Sequence, residues 1–350
     1  MDPSNAQLET RLRGMVAEQL DRRVSRFHWL SAELGLRRFA RLELAGDDAP
    51  HSLVARIDAP EDPAGRPAGV PPEPPLEPLR ALLEDHGLPV PRRLGGDADA
   101  GIELLEDAGD LTLRDAANDP ALRAELYAEA CDLIPRLQHI APCAVAAFER
   151  RLDPPLFDYK AALFADHALP SRGHATTATE RSCVIDAFAR VAQTAAAAPE
   201  RLAHRDFQSA NLHVDRDAAH GQRLCMIDLQ GALLAPPEYD AVCLLRDSYV
   251  ELSNAELSVL MERVRNALPD SPSASQFAER FDLLTLTRKG KDLARFHYVA
   301  RQRRNTDYLR YVPATLRALR AASERVAKRD PRFSALAELI AELPETECEA

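Results

Sequence analysis

The chain of 350 residues is long enough to form two domains, or one large core with a smaller lobe beside it. Acidic residues outnumber basic ones by 55 to 44, and the net charge of -11 disfavours non-specific binding to nucleic acid or anionic membranes. A polar N-terminus and the lack of a long apolar run predict a cytoplasmic protein with no membrane partner. We therefore expect a small-molecule partner, and a monomer or weak homodimer.

The N-terminal part of the chain predicts a small β-rich lobe. Apolar residues at helical spacing over 6–20 predict an amphipathic helix. Short apolar or alternating segments over 27–58, separated by GDDAP, predict three antiparallel strands. Eight prolines over 60–78 predict an extended surface loop. A helix over 79–86 and a β-like region that closes with GIELLEDAG complete five strands and one helix.

From Leu111 onward the chain is rich in Ala and Leu, and its pattern is helical. One interruption, over 201–235, has the short apolar runs and turn residues of strands joined by a loop. The predicted architecture is α+β, with an N-lobe over 1–108 and a helical C-lobe over 109–345. The predicted helices before the interruption cover 113–118, 120–140, 156–168 and 178–198.

The loop in this interruption carries the chemistry. HRDFQSAN, residues 204–211, fits H-x-D-x-x-x-x-N, and Asp228 follows Asn211 by seventeen residues. Phosphoryl transfer requires alignment of an acceptor hydroxyl and neutralisation of developing charge. We expect Asp206 to be the catalytic base, and Asn211 and Asp228 to hold Mg2+ on ATP, since both offer hard oxygen ligands. His204 is interpreted as a brace for the loop.

The pair HRDFQSAN and IDLQGA resembles the aminoglycoside phosphotransferase and choline-kinase-like family, relatives of protein kinases. AELGLRRFAR, residues 32–41, is similar to the phosphate loop of bacterial cell-wall amino-sugar kinases, which phosphorylate N-acetylmuramate and N-acetylglucosamine at the anomeric hydroxyl. The resemblance implies a protein-kinase-like two-lobed fold with ATP between the lobes. Further matches, in chain order, are RIDAP (56–60), LLEDAGD (104–110), PPEYDAVCLLRDSYVE (236–251) and TRKGKDLARF (287–296).

Two features predict a small acceptor and disfavour a protein substrate. A protein kinase has a lysine two residues after the catalytic aspartate, whereas this chain has Gln208 there. Only eleven residues separate Asp228 from Asp240, which leaves no room for a protein-docking segment. Asp240 itself is interpreted as a helix cap and loop brace.

The resemblance also assigns residues to the nucleotide. It makes 33–38 a turn over the phosphates, in which Gly35 allows close backbone approach. Arg56 replaces the family's strand-three lysine, and its acidic partner is ambiguous between Glu77 and Glu84. The hinge residues would pair with adenine through their backbone. The predicted nucleotide contacts are Gly35, Arg37, Arg38, Arg56, Glu106 and Ala108.

The acceptor is expected to contact a polar wall formed by Arg246, Asp247, Arg288 and Lys291. The last two also suit a carboxylate such as the lactyl group of muramic acid. Lys160 and His167, in YKAALFADH, depart from the pattern of amino-sugar kinases.

Two alternatives to the amino sugar remain open at this point. One is an aminoglycoside or another small hydroxylated acceptor. The other is a catalytically inactive nucleotide-binding regulatory protein. Loss of the lysine favours the second, and the intact set Asp206, Asn211 and Asp228 opposes it.

Overall fold

The computed structural model describes residues 3–30, 37–58 and 72–345, and these divide into two compact units. The first unit consists of the described residues of Met1–Arg66 and Pro89–Asp110. The second consists of those of Pro67–Leu88 and Leu111–Ala350. The first unit contains a β-sheet and the second is mainly helical, so the α+β fold class predicted from the sequence is confirmed.

The first unit contains a five-stranded antiparallel sheet in the order β1-β2-β3-β5-β4. Five strands were predicted, and the described residues of this unit form five. In register, Phe39 of β2 lies opposite Arg56 of β3, which in turn lies opposite Glu103 of β5. The strands are β1 (Val24–Leu30), β2 (Arg38–Leu44), β3 (Ser52–Ile57), β4 (Arg93–Asp97) and β5 (Ile102–Glu106).

The predicted amphipathic helix is α1 (Pro3–Leu20), which packs on one face of this sheet. Leu12 and Val16 of α1 are fully buried there. In β2 and β3 every second side chain points into the same core, as the two-residue period of a strand requires. These alternating side chains are Ala40, Leu42, Leu44, Leu53, Ala55 and Ile57.

Helix α2 (Leu76–Asp85) belongs to the second unit, although the predicted boundaries at 1–108 and 109–345 place it in the first. Its contacts explain the difference. The helix packs against Leu229–Gly231, and Arg136 donates a hydrogen bond to the Gly87 carbonyl just after α2 ends. Of the proline-rich loop predicted over 60–78, residues 60–71 lie outside the described residues. Residues 76–78 form the first turn of α2, so that part of the loop prediction is wrong.

The rest of the second unit is mainly helical. Its longest helix, α9, has 29 residues and is buried along most of its length. In the described part of the chain, no helix is both long and apolar enough to cross a membrane. The helices are α3 (Leu113–Ala116), α4 (Pro120–Gln138), α5 (Pro154–Leu163), α6 (Ala178–Ala196), α7 (Tyr239–Leu245), α8 (Asn254–Ala267), α9 (Ala274–Gln302), α10 (Val312–Arg329) and α11 (Ser334–Ala341).

Two short antiparallel ladders interrupt the helices where strands were predicted over 201–235. Strand β6 (Arg201–Ala203) pairs with β9 (Leu233–Ala235), and β7 (Leu212–Val214) pairs with β8 (Leu224–Met226). The loop that carries HRDFQSAN joins β6 to β7, and Asp228 follows β8. The two ladders therefore hold both predicted catalytic segments at their ends.

Candidate active site

The loop between β6 and β7 is held from beneath by a buried carboxylate. Asp240, in the first turn of α7, accepts hydrogen bonds from the backbone N–H groups of His204 (2.7 Å) and Arg205 (3.0 Å). Burial raises the pKa of Asp240 to about 6. Arg205 adopts the left-handed conformation, with φ of 77°, and His204 Nε2 lies 2.9 Å from the Ile227 carbonyl. Asp240 and His204 thus make the contacts of loop braces, as interpreted from the sequence.

Asp206 projects from this loop and is contacted by Arg288 of α9. Arg288 Nη1 lies 2.7 Å from Asp206 Oδ1 and 3.1 Å from the Arg205 carbonyl, while Nη2 donates to Gln208 Oε1 at 3.2 Å. The Asp206 side chain is 27% exposed, whereas that of Arg288 is 3% exposed. Arg288 therefore acts on the catalytic loop itself, and this contact was not anticipated from the sequence.

Electrostatics keep Asp206 ionised. Burial alone raises the pKa of this carboxyl, but the positive charges of Arg288, Lys291 and Arg205 outweigh that effect. The net result is a pKa well below the usual range of an aspartate. At neutral pH the group is a carboxylate that can accept a hydrogen bond from an acceptor hydroxyl.

The two predicted metal ligands lie at the same end of the β7–β8 ladder, with Asn211 directly before β7 and Asp228 two residues after β8. Asn211 Nδ2 donates to the Asp206 carbonyl at 2.9 Å, and the Asn211 carbonyl accepts from Ile227 N–H at 3.0 Å. Asp228 has a left-handed backbone, with φ of 62°, and its carboxylate accepts a hydrogen bond from the Gln230 side chain. The ladder thus joins the Asn211 backbone directly to the residue that precedes Asp228.

These residues fit a divalent cation. Local desolvation, and then the nearby Asp206 carboxylate, raise the pKa of Asp228, although the residue is still exposed to solvent. No basic side chain of the described residues forms an ion pair with it. A bound cation would supply the missing countercharge. In the described ranges no three His, Cys, Asp or Glu side chains form a metal cluster. Magnesium does not need one, because it is commonly held by one or two carboxylates together with water and phosphate.

Asp247, predicted to contact the acceptor, braces the far end of the loop. Its buried carboxylate accepts hydrogen bonds from Ser209 N–H at 2.8 Å, from the Ser209 hydroxyl and from Tyr249 N–H at 3.1 Å. Burial raises its pKa. These contacts account for both carboxylate oxygens, so a role for Asp247 in sugar binding stays a prediction without a contact to support it.

Arg246 also has partners remote from Asp206. Its guanidinium lies over the Phe281 ring, 5.7 Å from the centroid, near the charges of Asp282 and Arg325. Burial lowers its pKa to about 10. Asp282 in turn is ion-paired with Arg325 at 2.6 Å. The structure therefore brings Arg288 and Lys291 towards Asp206 but gives Arg246 a different environment.

Lys291 belongs to a compact charged group on α9. Asp292 forms ion pairs with Lys289 (2.7 Å), Lys291 (3.0 Å) and Arg288 (3.4 Å), so one carboxylate serves three cations. The Lys291 side chain is 19% exposed. Burial, followed by the charge of Arg288, lowers its pKa. The α9 side of the site therefore has more positive than negative charge.

In the first unit, two of the predicted phosphate contacts converge on one carboxylate. Arg56 Nη2 lies 2.7 Å from Asp58 Oδ1, and Arg37 Nε lies 3.0 Å from the same oxygen. Arg56 is buried in β3, the strand in which the sequence predicted an arginine in place of the family's lysine. Arg38 instead donates to Asn5 and stacks 4.0 Å from the centroid of Trp29.

The other residues predicted to contact the nucleotide have partners within the protein or lie outside the described residues. Glu106 is ion-paired with Arg92 at 2.9 Å, and its N–H donates to the Arg92 carbonyl, so that amide is already in use. Ala108 follows in the segment after β5. Gly35 lies outside the described residues. Both candidates for an acidic partner on α2, Glu77 and Glu84, form ion pairs with Arg80 of the same helix.

The sequence profile of the phosphotransferase enzyme family matches residues 44–277, a span that includes the catalytic loop and Asp228. This chain belongs to that family. The family resemblance stated from the sequence is confirmed, and the member described here is a small-molecule kinase.

Relatives and solved structures agree with this assignment. The chain is 28% identical to the N-acetylmuramate/N-acetylglucosamine kinase of Pseudomonas aeruginosa over 329 residues, covering 90% of this chain and 88% of that enzyme. A choline kinase from Streptococcus pneumoniae superposes with a TM-score of 0.59 at 16% identity, covering 92% of this chain and 99% of the other. A streptomycin-ATP-APH(2")-IIa ternary complex superposes with a TM-score of 0.57 at 13% identity, over 91% and 96%. The structural matches confirm the predicted protein-kinase-like fold.

Lys160 has an environment that the sequence did not predict. It was noted only as a departure from the amino-sugar kinase pattern, yet it is buried and donates to the Tyr239 hydroxyl at 3.2 Å. The charges of Lys291, Arg288 and Arg205, which act on Asp206, also act on Lys160. Its signal in the sequence was the rarity of lysine, since only four of the 44 basic residues are lysine.

Proposed function

We propose that this kinase transfers the γ-phosphoryl group of ATP to the anomeric hydroxyl of an amino sugar, N-acetylmuramate or N-acetylglucosamine. The observation that carries the proposal is the similarity to the P. aeruginosa kinase of that name, which extends over 90% of this chain. ATP as donor is supported by the family and by the ATP in the superposed ternary complex. Salvage of cell-wall amino sugars is the physiological setting that follows from this acceptor.

Asp206 is proposed to accept a hydrogen bond from the acceptor hydroxyl and to orient it for in-line attack. Its lowered pKa makes it a weak base, which suits a reaction whose transition state is loose and whose proton leaves late. Arg288 fixes the carboxylate through the 2.7 Å contact to Oδ1. Orientation, rather than strong basicity, is therefore the main contribution of this residue.

Asn211 and Asp228 are proposed to hold magnesium. When bound, the ion would neutralise charge on the phosphate groups of the nucleotide. Asn211 is oriented by its hydrogen bond to the Asp206 backbone, and Asp228 by the Gln230 side chain. In the first unit, Arg37 and Arg56 are proposed to bind phosphate oxygens. Both guanidinium groups converge on one carboxylate oxygen of Asp58, and a phosphate oxygen accepts the same kind of charge-assisted hydrogen bond.

The aminoglycoside alternative is disfavoured by charge. Aminoglycosides are polycations, and the basic side chains that surround Asp206 would repel them. The superposed streptomycin complex is only 13% identical to this chain and shows the fold alone. The regulatory alternative is opposed by an ionised, oriented Asp206, which a protein without phosphotransfer activity does not require.

The test is magnesium-dependent ADP release with N-acetylmuramate, N-acetylglucosamine, galactosamine and kanamycin as separate acceptors. Asp206→Asn is expected to lower kcat by about 10²- to 10⁴-fold, because the neutral amide loses the ion pair with Arg288 that orients this side chain and also cannot accept the hydroxyl proton. Asp217→Asn, the same chemical change in the exposed β7–β8 turn, is the matched control and should retain full activity.

Phosphorus NMR of the product then locates the phosphate. An anomeric phosphate couples to the single H1 proton, whereas a phosphate on C6 couples to two methylene protons. Failure of both N-acetyl sugars to stimulate ADP release, or a product phosphorylated away from C1, would contradict the proposal.

A further inference from the structure

The distribution of lysine in this chain is uneven. Lys160, Lys289 and Lys291 lie on α5 and α9, and Lys328 is exposed on α10; these are all the lysines present. Lys289 is internally satisfied, because its Nζ contacts Asp292 at 2.7 Å and Ser248 at 2.8 Å. Lys160, in contrast, forms no ion pair with a carboxylate among the described residues.

Lys160 is a buried amine without an acidic partner. Lys160 is only 6% exposed. No carboxylate in the described ranges forms an ion pair with its ammonium group. Nζ lies 5.1 Å from the ring centroids of both Phe157 and Tyr239, and its hydrogen-bond acceptor is the Tyr239 hydroxyl. Burying a charged amine without a counterion is costly, so a site of this kind favours an added anion.

The charges around Lys160 further favour a bound anion at this position. Burial, and then the charges of Lys291, Arg288 and Arg205, lower the pKa of Lys160 to about 7. The other titratable neighbours, Tyr239 and Cys243, have their pKa values raised by burial and are uncharged at neutral pH. Neither Tyr239 nor Cys243 therefore supplies a negative charge to Lys160.

Close packing places Lys160 and Lys291 on adjoining elements. A Cβ on Gly290, the neighbour of Lys291, would lie 3.2 Å from Phe164 and 3.3 Å from Phe188. Phe164 begins the π-helical turn that directly follows α5, the helix of Lys160. The backbone of α9 thus approaches the end of α5 at the position between Lys289 and Lys291.

We infer that Lys160, together with Lys291 and the Tyr239 hydroxyl, binds a carboxylate on the acceptor, so that the preferred substrate is an anionic sugar. The inference rests on the proposed function, because it assigns a specificity-determining contact to the same acceptor.

A short chain of contacts connects Lys160 to Asp206. Lys160 donates to Tyr239, and one turn further along α7 the Cys243 thiol contacts the Arg205 carbonyl at 3.2 Å. Arg288 joins that carbonyl to the Asp206 carboxylate, so the inference places the carboxylate substituent of a sugar bound at Asp206 beside Lys160. A neutral amino sugar would leave this amine without a counterion.

N-acetylmuramate and N-acetylglucosamine form a matched pair of acceptors, because they differ by the lactyl ether and its carboxylate. Wild-type enzyme is expected to prefer N-acetylmuramate. Lys160→Met should lower kcat/KM for N-acetylmuramate by about 10- to 100-fold, the range of a lost charge-assisted hydrogen bond, and change N-acetylglucosamine by less than about threefold. Lys328→Met, at an exposed position, should change neither.

Equal losses with both sugars, or a raised KM for ATP, would overturn the inference, because Lys160 would then serve the donor or the fold. A wild-type preference for N-acetylglucosamine would also overturn it. Turnover of neither sugar by the wild type would instead contradict the proposed function. In that case binding of each sugar, measured by calorimetry, still reports on Lys160.

Proton uptake provides a readout that needs no variant. At pH 8 an amine with a pKa of about 7 is largely neutral, and a bound carboxylate raises its pKa, so binding should take up a proton. Calorimetry in two buffers of different ionisation enthalpy measures this uptake. We expect it with N-acetylmuramate and a non-hydrolysable ATP analogue, but not with N-acetylglucosamine. Identical buffer dependence for the two sugars would overturn the inference.

Discussion

Arg288 contacts the Asp206 carboxylate, the Arg205 carbonyl and the Gln208 side chain, so a single guanidinium fixes three points of the catalytic loop. The sequence placed Arg288 in the acceptor site as a sugar contact. Its observed partners make it a positioning residue that acts through Asp206. The distinction matters because a positioning residue changes both the geometry and the pKa of the group that it holds.

Arg288→Met should therefore lower kcat by about 10- to 100-fold, the usual cost of misplacing a reacting group. It should also alter the pH profile. The Arg288 charge helps to hold the pKa of Asp206 low, and its removal raises that pKa. Loss of activity on the acid side should then begin at a higher pH than in the wild type. The measurement is kcat/KM from pH 4 to pH 8, at constant ionic strength.

Arg317→Met is the control for this prediction. Arg317 pairs with Glu251 at 2.7 Å on the surface, and its side chain is 49% exposed. Its loss should leave both kcat and the acid limb unchanged. An acid limb that stays in place in Arg288→Met would show that Arg288 has no electrostatic effect on Asp206.

At the scale of elements, the contact between α9 and the end of α5 depends on Gly290. A glycine inside a helix normally reduces stability relative to a residue with a side chain. Here it permits Phe164 and Phe188 to pack where a Cβ would otherwise lie. The small residue thus brings together the two elements that carry Lys160 and Lys291.

Gly290→Val should lower the free energy of unfolding by about 1–3 kcal/mol, because the added methyl groups overlap two aromatic rings. Gly14→Val on α1 is the matched control. No atom lies within 4 Å of a Cβ at Gly14, so this change should be neutral or slightly stabilising. Urea denaturation of both variants gives the comparison. Equal stability of the two would show that the rings move aside at no cost.

At the scale of the whole molecule, binding of Mg·ATP should stabilise the folded enzyme. At about 100 times its Kd the nucleotide adds about 2.7 kcal/mol, provided that it does not bind the unfolded chain. Thermal unfolding should therefore shift upward with Mg·ATP and less so with ATP and a chelator. Asp228→Asn should abolish the magnesium-dependent part of the shift, whereas Asp217→Asn should retain it. A shift in Asp228→Asn equal to that of the wild type would remove Asp228 from the metal site.

The sequence alone determined the fold class, the five strands, and the candidate catalytic set Asp206, Asn211 and Asp228. The reason is that these features are local. A two-residue alternation identifies a half-buried strand, and the spacing of H-x-D-x-x-x-x-N keeps chemically related groups on one short loop. The hydrogen bond between Asn211 and Ile227, at the end of the β7–β8 ladder, then places Asp228 near Asn211.

Tertiary structure alone decided the roles of residues far apart in the chain. Helical periodicity shows which side chains share a face of α9. It does not show that one of them, Arg288, contacts Asp206 in a loop 82 residues earlier in the chain. The same limit applies to Lys160, whose burial beside Tyr239 depends on packing between separate helices. Charge and burial set the pKa values of such groups only after the chain has folded, so their chemistry could not be read from residue type alone.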